Sequence, residues 1–258
     1  MDAKKDELIF VRHMGELAKS AYYKGISIYS DFLTLAQQGL IAQQGFPVPY
    51  SFYGGFADAE RVKVGFHGGL TGNGRIEPDE FLYDYPLCIV KICPVNSKFA
   101  EELTHRDYLG AILNLGIDRS TTGDILPVLD AVYLCCDPMI GNFLCGNLER
   151  VRHTSVKVSV VDEIPENLKR QSETVHVNVA SLRLDVVVGA AFKQSRGNTS
   201  ALISGGKVMV NGREVLQGSS VIKDGDIISV RGFGKFRYVG TEGTTKKERL
   251  YITLEKYQ

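Results

Sequence analysis

The chain has 258 residues, 44% hydrophobic and 23% charged, which suits a globular protein with two or three buried cores and excludes a disordered or fibrous one. It holds no apolar run of about 18 residues, so no membrane-spanning helix is expected. Its first ten residues resemble neither a signal peptide nor a transit peptide. Basic and acidic residues both number 30, yet residues 172–258 carry 13 basic against 8 acidic side chains, net +5, which leaves net −5 on residues 1–171. A basic end on an acidic body points to a polyanion held at that end. The five cysteines, Cys88, Cys93, Cys135, Cys136 and Cys145, contain no CxxC pair and sit in apolar surroundings, so buried reduced thiols are expected rather than disulfides or zinc.

From the N-terminus, apolar residues at Leu8, Ile9, Val11, Leu17, Ala18 and Ala21 predict a helix over 6–24, ended by Gly25. Ser30 and Asp31 are placed to cap a second helix over 32–44, closed by Gly45. A strand over 61–66 leads into HGGLTGNGR, residues 67–75. These glycines invite comparison with a P-loop, which needs a lysine and a hydroxyl after its last glycine. Arg75 and Ile76 stand there instead, and a hairpin loop is expected.

Residues 87–95, LCIVKICPV, read as a strand. Thr104 and Asp107 then form a capping-box pair before a helix whose buried stripe is Leu109, Ile112 and Leu113, ended by Gly116. A short strand follows before Pro127, then a strand over 130–136, a helix from Pro138 to about Arg150, and an alternating strand over 154–161. The order β-α-β-β-α-β is that of the ferredoxin-like plait, which also underlies the RRM. An RRM stacks bases on aromatics of its two central strands. Here Tyr133 is the only aromatic on a candidate central strand, and the residues leave open whether the plait touches RNA. His105-Arg106-Asp107 matches the kinase triplet, but the asparagine required five residues after the aspartate is Ile112. A helix start accounts for Asp107, though not for His105.

Residues 163–175 are polar and aperiodic and form the expected linker. Beyond it, Leu184, Val187, Val188, Ala191 and Phe192 repeat at helical spacing behind an expected cap at Ser181. Gln194 ends that helix, Ser195 starts a second, and Gly205-Gly206 stops it. A strand then enters an Asn211-Gly212 turn, residues 223–226 make a second tight turn, and 231–238 read as a basic strand interrupted by glycine. Candidate RNA-binding residues are Ser181, Arg183, Lys193, Gln194, Ser195 and Arg196 around the helix starts, with Lys207, Asn211, Arg213, Arg231, Lys235 and Arg237 along the strands. Helix starts offer unpaired N–H groups to phosphate, and arginine forks pair with two phosphate oxygens at once. Without base-reading pockets, recognition is expected to rest on RNA shape and backbone.

Ser181-Leu182-Arg183-Leu184-Asp185, Ser195-Arg196, Leu202-Ile203, Gly206-Lys207-Val208-Met209-Val210-Asn211-Gly212 and Asp224-Gly225-Asp226 together resemble the S-four RNA-binding domain, the alpha-L motif. RGFGKFRYV (231–239), GTTKKERLYITLEKY (243–257) and THRDYLGAILNLGIDRSTTGDIL (104–126) resemble the YlmH family more narrowly. That resemblance implies an α+β chain of three small domains. These are a mixed N-terminal domain (1–75), an RRM-like plait (76–162) and, after the linker 163–175, an S-four-type alpha-L domain (176–258). It also implies a ribosome-associated RNA-binding protein that acts on the large subunit with tRNA in quality control of stalled translation. Members of the family are often labelled cell-division proteins. Where the family reads arginine in RGxGR, this chain has Lys235, which keeps the charge without the fork.

The leading reading is therefore a non-catalytic, cytoplasmic protein docking on ribosomal RNA and/or tRNA, with no cofactor, metal ion, membrane or small-molecule ligand expected. The alternative is an RNA-modifying enzyme of the pseudouridine synthase kind, since those enzymes carry the same module and Arg183-Leu184-Asp185 mimics part of their G-R-L-D motif. Against it, Asp185 falls inside the first module helix, and no catalytic-size domain is expected beyond residue 258. A third reading, an interaction protein linked to cell division, rests on family labelling alone.

Overall fold

The structure is a computed structural model describing residues 3–56, 59–128, 131–162, 164–165, 172–244 and 248–257. The chain divides into two compact units, Met1–Lys169 and Arg170–Gln258. No helix is long and apolar enough to cross a membrane among the described residues.

The first unit begins with α1 (Ala3–Lys24), β1 (Ser27–Tyr29), α2 (Leu35–Ile41), β2 (Pro49–Tyr53), β3 (Lys63–His67) and β4 (Gly74–Arg75). Their sheet has the order β1-β3-β2-β4. α1 buries Met14, Ala18 and Ala21 in a core with Ile41, Val48, Tyr50, Val64 and Phe66. The first helix thus matches expectation, but the second starts later than the sequence suggested. Phe32 N donates to Ser120 O at 2.8 Å and Leu33 N to Val62 O at 2.7 Å, which holds both residues out of a helix. The cap is therefore Thr34, in a reciprocal box with Gln37, and not Ser30 or Asp31. The glycine-rich loop after β3 is likewise no hairpin. β4 pairs in parallel with β2, so residues 68–73 carry the chain across the sheet. Gly68 is required within it, because a Cβ there would collide with the Ala21 carbonyl.

His67, 1% exposed, sits between the hydroxyls of Ser27 (3.0 Å from Nδ1) and Ser51 (2.7 Å from Nε2) and stacks on Phe81. Burial pushes its pKa below the ordinary histidine value, against a smaller upward pull from Asp84. The unfolded chain therefore takes up a proton near pH 6.5 that the folded chain refuses, and stability falls as pH drops below about 6.5. Urea midpoints at pH 7.5 and 5.5 are expected to fall less in His67→Gln than in the natural chain. Equal falls would assign the acid sensitivity elsewhere.

The same unit continues with β5 (Cys88–Pro94), α3 (His105–Asn114), β6 (Thr122–Val128), β7 (Ala131–Cys136), α4 (Pro138–Asn147), β8 (Arg150–Val151) and β9 (Thr154–Val161). The sheet order β6-β7-β5-β9-β8, antiparallel throughout, is that of the expected plait with β8 added beyond β9. Pro127 is accommodated because β6 is an edge strand. The Thr104–Asp107 capping box forms as expected. α4 stops at Asn147 rather than near Arg150, because Leu148 turns inward to 5% exposure. Both helices cover one face of the sheet, packing on Val90, Ile92, Val132, Leu134 and Cys136.

The opposite face is the one an RRM uses to stack bases, and here it is covered around Tyr133. Phe32, with half-buried Phe56 and Leu87, packs on Ile89, Leu126, Tyr133 and Cys135, which leaves Tyr133 only 7% exposed. A Cβ at Gly55 would come within 2.7 Å of Cys135 Sγ, so the N-terminal chain lies directly on these strands. Arg61 fastens the contact, donating to the carbonyls of Phe32 (3.1 Å), Arg119 (2.9 Å) and Thr122 (3.0 Å). The backbone N–H groups of Glu60 and Arg61 both donate to the Asp124 carboxylate. Lys63, 3% exposed, reaches Asp137 at 2.6 Å. Burial, reinforced by the neighbouring Arg61 guanidinium, lowers the Arg119 pKa to about 10.

The second unit begins with β10 (Ser172–Val179), so the last four residues of the expected linker are in fact a strand. Residues 163 and 166–171 of that linker, like Asp130 at the expected start of β7, lie outside the described residues. β10 is followed by α5 (Leu184–Ala191), α6 (Arg196–Ser204), β11 (Val208–Val210), β12 (Arg213–Glu214), β13 (Ile227–Val230), β14 (Gly234–Thr244) and β15 (Leu250–Tyr257). The six strands form one sheet, β10-β15-β14-β13-β11-β12. α5 and α6 close its core through Leu184, Val187, Val188 and Ile203 on Val208, Ile228, Phe236, Ile252 and Leu254. Residues 231–233, expected to open a strand, instead form the turn between β13 and β14. All five cysteines are free thiols, but Cys145 is exposed, contrary to the expectation of uniform burial.

Candidate RNA-binding surface

The cap of α5 is Arg183, not Ser181. No anion site is open at this helix start, because Leu184 N and Asp185 N already donate to the carbonyls of Ser220 (2.8 Å) and Gly218 (3.0 Å). The Arg183 fork is itself closed on Asp185, with Nε on Oδ1 at 3.1 Å and a terminal nitrogen on Oδ2 at 2.8 Å. This pairing raises the Arg183 pKa. It also corrects the picture of Arg183 as a phosphate clamp waiting on a bare helix end.

α6 behaves as the sequence suggested. Ser195 is its cap and accepts from Asn198 N at 3.2 Å, with Arg196 at the first helical position. Lys193 occupies the turn between the helices with a positive φ of 52°. Beyond the C-terminal end of α6, Arg231 N donates to Lys207 O at 2.8 Å, which brings two more candidates side by side. Lys193, Arg196, Lys207 and Arg231 are all exposed and make no ion pair among the described residues. The two pairs flank α6, whose nine residues span about 14 Å.

The other candidates divide. Lys235 and Arg237, two residues apart on β14, both lie over the Tyr257 ring, at 5.4 and 6.0 Å, and Arg237 also approaches Glu255 at 3.9 Å. Arg213 starts β12, half-buried. Asn211 has a structural task in its turn. It adopts a positive φ of 50° in its turn, donates to Asp226 Oδ1 at 2.8 Å and accepts from Ile227 N at 2.9 Å. Gln194 spends its amide on Phe192 O at 3.0 Å.

A cleft of about 630 Å³ gathers Ser181, Arg183, Gln194 and Arg196 with Asn178 and Arg249. Arg249 was missed by motif reading, although the run KKER that contains it was a visible signal. Lys246 and Lys247 of that run lie outside the described residues.

The model of the S4 domain matches residues 182–228, and that of the putative RNA-binding domain in YlmH matches residues 81–164. Two separate segments of the chain thus match a YlmH-type domain and an S4 domain. The resemblance read from the motifs is thereby borne out. The ribosome-associated protein quality control protein P2 of Bacillus subtilis (strain 168) is 28% identical over 256 residues, 98% of this chain and 96% of that protein. The small ribosomal subunit protein uS4 of Kosmotoga olearia is 37% identical over 70 residues, 27% of this chain and 34% of its own length. Among solved structures, the cell division protein ylmH from Streptococcus pneumoniae aligns at 22% identity with a TM-score of 0.45, covering 61% of this chain and 92% of that one. The S4 match contains the free cations Lys193, Arg196 and Lys207, and the YlmH domain is the plait whose strand face Phe32 covers.

Proposed function

We propose that this chain is a non-catalytic, cytoplasmic protein whose S4 domain grips the phosphate backbone of structured ribosomal RNA and tRNA on the large subunit of stalled ribosomes. The observation that carries this reading is the group of exposed cations flanking α6, Lys193, Arg196, Lys207 and Arg231, none consumed by an ion pair among the described residues. A merely solvated basic face would be expected to mix in acidic partners, as Arg183 does with Asp185 and Arg237 with Glu255. Free cations release counterions on meeting phosphate, which supplies affinity without base reading. The ribosomal setting is supported by the names of the two relatives, a ribosome-associated quality control protein and a small-subunit ribosomal protein.

The enzyme reading would need Asp185 as its reactive carboxylate. Both Asp185 oxygens are held by Arg183, and Gly218 packs against its Cβ, which suits a structural brace at the start of α5.

Ultraviolet crosslinking in cell extract, followed by sequencing of the attached RNA, tests the proposal. Enrichment of large-subunit ribosomal RNA and tRNA is expected. Reads spread in proportion to RNA abundance, or no crosslinked RNA, would overturn it.

A further inference from the structure

Phe32 and its neighbours occupy the plait's strand face around Tyr133, where an RRM would stack bases. On the helical side, a cleft of about 590 Å³ runs between α3 and the corner where α4 gives way to β8. Gly110 and Ala111 of α3 line it without bulk, and a Cβ at Gly110 would meet open space. Three arginines border it: Arg106 on the first turn of α3, Arg150 on β8 and Arg152 in the β8–β9 turn.

These arginines are not alike. Arg152 is fixed by Nε to Asp107 Oδ1 at 2.7 Å, while its side chain stays 60% exposed. Its φ is 51°, in a two-residue turn where glycine would adopt that conformation freely. A strained non-glycine residue at a surface turn motivates a search for function. Arg106 and Arg150 are exposed and make no ion pair among the described residues. Asp107 is already occupied by Thr104 and Arg152, which leaves Glu149 as the other acidic group lining the cleft. Most of the lining residues are exposed or half-exposed, so this is an open trough suited to a polymer rather than an enclosed small-molecule pocket.

From this arrangement we infer that the cleft between α3 and β8 is a second RNA site, in which Arg106, Arg150 and Arg152 grip the phosphodiester backbone. The inference rests on the RNA-binding reading above and adds to it a contact independent of the S4 cations. A free nucleotide shares the phosphate chemistry, and the experiment separates the two sources.

Full-length protein, its Arg106→Ala/Arg150→Ala variant and its Arg196→Ala/Lys207→Ala variant are titrated with a labelled fragment of structured ribosomal RNA over a range of salt. Both substituted cleft residues are exposed, and an unchanged thermal midpoint verifies the fold. The cleft variant is expected to bind about tenfold or more weakly, with the log–log salt slope reduced by roughly 1.4 to 1.8 for two lost phosphate contacts. Lysine at both positions is expected to restore the slope but only part of the affinity, because the forks are gone. Unchanged affinity and slope in the cleft variant, with binding lost in the S4 variant, would overturn this inference and leave the proposed function standing. Failure of both variants to alter binding would overturn both. Equilibrium dialysis against adenosine monophosphate is expected to show no uptake. Uptake abolished by the cleft substitutions would reassign the trough to a small nucleotide and overturn the RNA reading.

Discussion

Replacing Arg196 and Lys207 together with alanine is expected to weaken binding to structured RNA on the order of 30-fold to 150-fold, since each lost phosphate contact contributes roughly 1 to 1.5 kcal/mol. The salt dependence is expected to flatten at the same time, by about 1.4 to 1.8 in the log–log slope. Neither side chain is buried or paired among the described residues, so the fold is unaffected and the unfolding free energy stays within about 0.5 kcal/mol of the natural value. The same substitutions at Arg183 and Arg237 are expected to do less to RNA binding, because those guanidinium groups already face Asp185 and Glu255. Fluorescence anisotropy at two salt concentrations checks the ranking. Equal losses at all four positions would mean that the internal ion pairs open on binding.

The largest stability effect is expected at Arg61. Arg61→Met removes the donors that serve the carbonyls of Phe32, Arg119 and Thr122 at a part-buried contact, and it removes the cation beside Asp124. Leaving such groups unpaired costs about 3 kcal/mol. Arg61→Lys is expected to recover less than half of that, because one ammonium cannot replace a planar fork that spans three carbonyls. Urea unfolding monitored in the first unit reads the loss directly. A change below about 0.5 kcal/mol would show that solvent reaches these carbonyls and that apolar packing by Phe32 and Phe56 holds the contact.

Some of this protein is written in short-range pattern. Thr104 with Asp107, Pro138 at the start of α4, Ser195 before α6 and Asn211-Gly212 were readable because each depends on groups within a few residues. The order of the plait strands followed from short apolar runs, the last of them alternating, and the helices between them. The S4 module announced itself through residues crowded into fewer than 50 positions.

What motif reading missed depends on distant partners. Ser172 to Val179 is polar enough to pass for linker, and it becomes a strand only because Leu250 to Tyr257 supplies its hydrogen bonds. The residues left open whether Tyr133 could meet a base, and its burial is decided by Phe32, which reaches it from a different part of the chain. Arg183 looked like a clamp by charge alone. Its geometry closes it on Asp185, and the start of α5 is closed by the carbonyls of Gly218 and Ser220. By itself the sequence determined the module types, the turns, the caps and the concentration of positive charge at one end, since these rest on local conformation and composition. Only the tertiary structure decided which cations remain free and which face of the plait remains open, because pairing and burial are set by residues far apart in the chain that meet in space.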